Sequence, residues 1–164
     1  MGSMNRMERK LRREIVVDFL SQPKEIDVEI EYEKRRLEEL KQTPCIQSVS
    51  YDGMPRNKSN HSDPTALYVE KICEQEDKIQ QLILKRMEVR QSVSDAIKSV
   101  KDLRNRTILE AHFLENKSND TIMEMLDYTE KSVIRKRYLQ GLDTVILPTD
   151  GALPDELAEL MAAG

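Results

Sequence analysis

Apolar residues recur at spacings of three and four along most of this chain, which is the period of helices. Met7, Leu11, Ile15 and Phe19 recur every four residues, with Val16 and Leu20 beside them, and predict an amphipathic helix over 4–21. Pro23 ends or kinks it, because proline lacks the N–H that an interior helical position donates. A second helix is expected from Lys24 to about Gln42, where Ile26, Ile30, Glu33, Leu37 and Leu40 form a short heptad seam with one charged defect at Glu33. Thr43-Pro44 stops it, so residues 4–43 are read as N-terminal helices. Residues 44–63 hold Pro44, Gly53 and Pro55 among many Ser and Asn and read as a loop or linker. His61 within it has no acid or nucleophile paired with it in sequence and reads as solvated.

Asp63 or Thr65 can cap the next helix, with Pro64 in its first turn. Over 64–103, Ile72, Gln75, Ile79, Leu82, Arg86, Val89, Val93, Ala96, Val100 and Leu103 keep strict three-four spacing, the signature of a coiled coil. Such a helix measures about 55–60 Å at 1.5 Å per residue and cannot hide its seam alone. The 24–42 helix would cover part of it as an antiparallel hairpin, and the rest is expected to face a second copy. Ile72, Gln75, Ile79, Leu82, Arg86, Val89 and Val93 are therefore the expected homodimer stripe, with the polar Gln75 and Arg86 fixing register.

The stretch 104–147 has a different organisation, three short pieces separated by polar breaks. Thr107 to Leu114 carries Ile108, Leu109, Ala111, Phe113 and Leu114, and Lys117-Ser118-Asn119 breaks it, with Ser118 or Asn119 as the next cap. Asp120 to Leu126 places Ile122, Met125 and Leu126 on one face, with Met123 near it. Asp127-Tyr128-Thr129 makes a tight corner: Asp tolerates left-handed backbone angles, and Thr129 can cap a last helix that starts at Glu130. In that helix Val133, Ile134, Tyr138 and Leu142 can pack inward, while Lys131, Ser132, Arg135, Lys136 and Arg137 point outward. This is the pattern of a helix-turn-helix, whose second helix enters the major groove with cations on the phosphates. Lys131, Ser132 and Arg135 are the expected base-edge or near-base contacts. Lys117, Lys136, Arg137 and the Thr129-Glu130 cap region are expected to hold phosphate. A small three-helix domain with a solvated basic face would show the same pattern. Val145, Ile146 and Leu147 are expected to close the core before Pro148.

Composition narrows the picture. The 164 residues are 38% hydrophobic and 34% charged, with no Trp, which suits long solvent-washed helices better than a thick core. The net charge of −4 means that any nucleic-acid footprint must be local, and 131–137 supplies one. The first helix is basic at Arg6, Arg9, Lys10, Arg12 and Arg13; Glu8, Glu14 and Asp18 dilute it, so a packed helix with a solvated face is favoured over a second DNA or membrane-surface contact. Residues 148–164 form an acidic tail with four acids and no base, in which Leu153, Leu157 and Leu160 share one helical face. Such a short peptide is marginal alone, so a mobile tail or a protein contact is expected. Cys45 and Cys73 share no ligand spacing and read as free thiols. Residues 1–3 read as a cloning remnant, and with no signal core or membrane span a cytoplasmic protein is expected. No Gly-rich phosphate loop, nucleophile motif or metal-ligand spacing occurs, so neither an enzyme nor a cofactor or metal is expected.

The expected architecture is thus all-α, a long helical hairpin or coiled coil followed by a small helix-turn-helix domain. In that order of pieces the chain resembles the phage and prophage late-gene transcription regulators of the RinA/ArpU type, whose C-terminal unit is similar to region 4 of sigma-70 factors. The resemblance covers roughly 24–147. It is most specific at Ile108-Leu109, Glu110-Ala111, His112-Phe113 and the polar link Leu114 to Lys117, then at Ile122, Tyr128-Thr129, Val133 and Arg135. Met54-Pro55 followed by Asp63-Pro64 looks like the linker of these proteins. The chain departs from the pattern at Met123, where the family has a small residue, at Asp127, where it has Gly, and at Arg137-Tyr138, where it has His-Gly. The resemblance implies sequence-specific binding of double-stranded DNA by a homodimer, activation of phage late genes, and host RNA polymerase as a further partner. Two other readings stay open: a DNA-binding packaging adaptor like a small terminase subunit, told by a ring of eight or more copies, and a coiled-coil interaction module that shifts no duplex.

Overall fold

The computed structural model describes residues 4–43 and 64–148. The loop 44–63 with Cys45 and His61, the remnant 1–3 and the acidic tail beyond Pro148 lie outside the described residues. Among those described, the chain is all-helical: α1 (Arg6–Gln42), α2 (Pro64–Lys98), α3 (Leu103–Leu109) continued by a π-helical turn (Glu110–Leu114), α4 (Asn119–Leu126) and α5 (Lys131–Thr144). No described helix is long and apolar enough to cross a membrane.

The first correction concerns Pro23. It neither ends the first helix nor separates it from a second; α1 runs through it as one helix of 37 residues. A proline inside a helix forfeits one hydrogen bond and costs about 3 kcal/mol. The buried positions Val16, Leu20, Pro23, Ile26 and Ile30 recur through it at helical spacing, so the proline sits on the inward face and its ring is covered. Burial offsets the lost bond. The expected four-residue stripe fails at its start instead: Met7 and Leu11 are exposed, and the inward face is led by Val16 and Leu20.

The chain divides into two compact units, each made of parts of α1 and α2. The unit formed by 26–43 and 64–86 is a helical hairpin. Tyr68 donates to the Leu40 carbonyl, Gln75 and Lys78 meet Glu33, and Arg86 meets Asp27 at 2.9 Å, so positions rise along α2 as they fall along α1 and the helices are antiparallel. Its apolar contribution is Ile26, Ile30 and Ile79. Glu33, the charged defect of the seam, is buried with both carboxylate oxygens engaged, by Gln75 Nε2 and by Lys78 Nζ at 2.6 Å. Those bonds hold its pKa below the ordinary carboxylate value, the Lys78 contact more than the Gln75 one.

This pairing sets α1 of the same chain against positions of the α2 stripe that were expected to face a second copy. Gln75 and Arg86 do set register, but toward Glu33 and Asp27 of the same chain. Ile79 is buried, and Ile72, Leu82 and Arg86 are half-covered. In the other unit, residues 4–25 and 87–148, Val93, Ala96, Ile97 and Val100 pack with Val16 and Leu20, and Val89 lies against them. Each unit thus pairs its part of α2 with its own part of α1. Leu103 leaves the stripe, 69% exposed, because α2 stops at Lys98 and Asp102 caps α3 by accepting from the Asn105 N–H.

The second unit holds two apolar clusters. One joins Val16, Leu20, Val93, Ile97 and Val100 to Leu109, Phe113, Leu142, Val145 and Leu147. The other, Ile108, Ala111, Ile122 and Ile134 with Met123, Leu126, Tyr128 and Tyr138, joins α3, α4 and α5. Helices α3 and α5 approach closely at Gly141, where an added Cβ would lie 3.0 Å from Leu109 Cδ1. Val145 and Leu147 are buried as expected, while Ile146 between them points outward and its N–H donates to Ser99 Oγ.

Candidate nucleic-acid interface

The corner between α4 and α5 follows from three local choices. Ser118 caps α4, its hydroxyl accepting from the Thr121 N–H. At the other end Asp127 takes φ 54°, ψ 44°, and the Tyr128 N–H reaches back to the Met123 carbonyl while the Asp127 N–H reaches Glu124. That pair of bonds is a Schellman closure, and the accompanying apolar contact has Met123 and Tyr128 on the same core cluster. Met123 therefore sits comfortably where a smaller residue was expected. Met125 does not join the inward face; it is 47% exposed and its sulfur receives Lys117 Nζ.

The cap of α5 differs from expectation. The helix starts at Lys131, with Glu130 at the cap position and no side chain closing it; Thr129 is exposed and does not act as a cap. The Glu130 carboxylate instead accepts from Ser132 Oγ at 3.2 Å. The first N–H groups of α5 thus lack a capping side chain, the arrangement that lets a helix N-terminus receive an anion.

The expected cations divide into three kinds. Arg135 and Lys136 are exposed on α5, and no acid lies within ion-pair distance of either among the described residues. Lys131 and Lys117 point outward but meet acids of the chain, Asp120 at 3.0 Å and Glu115 respectively. The Lys131 pair is more than 70% exposed on both sides. Such surface pairs are worth about 0–1 kcal/mol, so a phosphate can replace the carboxylate. Arg137 is a correction. It follows Ile134 by three positions, on the inner edge of α5, and its guanidinium lies 3.6 Å from Asp102, 3.4 Å from the Asn105 side-chain oxygen and 6.0 Å above the Tyr128 ring. Arg137 braces the start of α3 against α5 and is not presented to a phosphate. Arg104 stacks on the same ring and donates to the Tyr128 hydroxyl. Asp102 is held below its ordinary pKa, first by the Asn105 N–H and then by the Arg104 N–H and the charges of Arg137 and Arg104.

The structure also brings to this side of α5 the basic residues of the first helix, for which a packed helix with a solvated face was favoured over a DNA contact. Arg6, Arg9, Lys10 and Arg13 of α1 border a hollow of about 950 Å³ whose other wall is α5, with Arg135 on its rim and Val17, Tyr138, Leu139 and Leu142 on its floor. Arg13 clasps Asp143 with two bonds of 2.6 and 2.7 Å near the end of α5. From that anchor the N-terminal turns of α1 run back toward Arg135. The basic run was visible in the sequence, but its juxtaposition with α5 depends on packing across more than a hundred residues. Compared with known proteins, the chain matches no protein-family model, no curated protein and no solved structure.

Proposed function

We propose that this chain is a sequence-specific DNA-binding regulator of transcription that lays the N-terminal half of α5 in the major groove. The observation that carries the reading is the outward side of α5: Arg135 and Lys136 are exposed and meet no acid among the described residues, beyond a left-handed corner that holds α5 against α4. Ser132 and Arg135 meet base edges, with Glu130 beside them. Lys136, Lys131, Lys117 and the open start of α5 meet phosphate. The bordering cations Arg6 and Arg9 of α1 add phosphate contacts. Control of phage late genes, and any contact with host RNA polymerase, is drawn from the resemblance to the RinA/ArpU regulators. Two copies would bind two half-sites, and with the α2 stripe facing α1 their pairing uses another surface.

The test is to select bound sequences from random duplexes, then measure affinity against salt for the wild type and for Arg135→Ala/Lys136→Ala. The double variant should bind more weakly and lose about one unit of log–log salt slope per lost phosphate contact. Unchanged binding by the double variant refutes the assignment. Absence of any duplex binding at low salt favours the interaction-module reading, and a ring of eight or more copies favours a packaging adaptor.

A further inference from the structure

The hollow between α1 and α5 has a property that a phosphate backbone does not use. Its lining is cationic on balance, with Arg6, Arg9, Lys10, Arg13 and Arg135 against Glu14 and Asp18, and it is apolar at Val17, Leu139 and Leu142. Phosphate contacts need the rim alone. A ligand matching both would be an anionic amphipathic peptide, with carboxylates at the edge and aliphatic side chains beneath.

We propose that the occupant is the chain's own acidic C-terminal segment, residues 149–164, docking with Leu153, Leu157 and Leu160 on the floor and its acids on Arg6, Arg9 and Arg135. Two observations select this occupant over a foreign peptide. The first is complementarity. The segment carries Asp150, Asp155, Glu156 and Glu159 and no base, and its leucines recur at the spacing of one helical face. The second is position. The described chain ends at Pro148, three residues after Val145, whose carbonyl accepts from Arg12 of α1, and the next residue of α1, Arg13, already borders the hollow. Five extended residues, the tether from Pro148 to Leu153, span up to roughly 17 Å. Tethering also raises the local concentration of the segment to the order of millimolar, enough for a weak contact to be substantially occupied.

The docked segment would cover Arg135, so it competes with DNA. That consequence rests on the DNA-binding reading; the docking itself does not. The experiment therefore has a DNA-free arm. In the full-length chain with labelled methyl groups, nuclear Overhauser contacts are sought between Leu153, Leu157, Leu160 or Met161 and Val17, Leu139 or Leu142. The expected result is direct contacts that vanish in Leu153→Ser/Leu157→Ser/Leu160→Ser, a variant with unchanged charge and an unchanged core. Absence of such contacts in the wild type overturns the proposal. In the second arm, duplex affinity of that leucine variant should rise about two- to tenfold, the release of an intramolecular competitor. If the leucine variant binds DNA as the wild type does, while Asp155→Asn/Glu156→Gln/Glu159→Gln binds more tightly, the acids act by charge alone and the proposal fails. If the methyl contacts are found but no duplex binds, docking stands and the DNA-binding reading falls.

Discussion

Asp127 turns the corner between α4 and α5 in a backbone conformation that most side chains avoid. At positive φ an L-residue pays for the approach of its Cβ to the following carbonyl, by about 1–2 kcal/mol, and Asp reduces this only in part. Replacing Asp127 with Gly removes the clash but adds conformational freedom to the unfolded chain, so a net gain of up to about 1 kcal/mol is expected; Asp127→Val should lose about 1–2 kcal/mol. Equilibrium urea unfolding of the two variants checks both signs. His112 offers a second test. The residue is exposed, but its ring stands edge-on to Phe113 and Tyr138 at 4.7 and 5.2 Å, and this partial covering, with the Lys24 charge adding to it, lowers its pKa from 6.5. The folded state therefore favours the neutral ring. The stability this provides is fully present above the unfolded value and declines as pH falls through it toward the lower folded value. Glu33 and Asp102 have pKa values lowered from 4.5 and 3.8, so their contributions are lost at still lower pH. Unfolding free energies measured between about pH 7.5 and 5 should fall in the wild type and fall less steeply in His112→Gln.

At the level of elements, the hairpin of 26–43 and 64–86 is held in register by polar groups on an otherwise apolar seam. Gln75→Leu would leave the Glu33 carboxylate with Lys78 alone in a covered site, and one unsatisfied buried partner costs about 1–3 kcal/mol. Glu33→Leu/Gln75→Leu removes donor and acceptor together and should recover most of that loss, since apolar replacement of a complete buried pair is often neutral or better. Urea midpoints of the two variants and the wild type decide it. The same seam marks how far the sequence could be read. The heptad spacing located Gln75, Ile79, Val93, Ala96 and Val100 among the buried positions but missed Ile97 and included the half-covered Ile72, Leu82, Arg86 and Val89; Ser118, Asp127 and Ile134 were legible because capping, left-handed corners and helical period are local properties. What was not legible was the partner of the seam. That depended on whether Pro23 breaks α1, a contest between a local hydrogen bond and tertiary burial. Arg137 was misread for a simpler reason: charge was weighed above its three-residue spacing from Ile134. The approach of Arg6 and Arg9 to Arg135 has no local signature at all.

Across the molecule, the question left by that seam is whether its stability belongs to one chain or to an assembly. A stripe shared between copies makes unfolding bimolecular, so the midpoint rises with concentration and a seam substitution weakens association as well as folding. A stripe closed by α1 of the same chain makes the loss unimolecular. Ile79 discriminates, because it is 7% exposed within a hairpin whose helices are both supplied by this chain. Ile79→Ala should cost about 2–5 kcal/mol, the range for emptying a buried aliphatic site. The drop in melting temperature relative to wild type should be the same at low and at hundredfold higher protein concentration, and the mass of the native species in solution should not change. Copies that pair through some other surface leave this decrement intact, since both proteins then share the same concentration dependence. A decrement that shrinks as concentration rises, together with a lower native mass for the variant, would return the α2 stripe to an interface between chains.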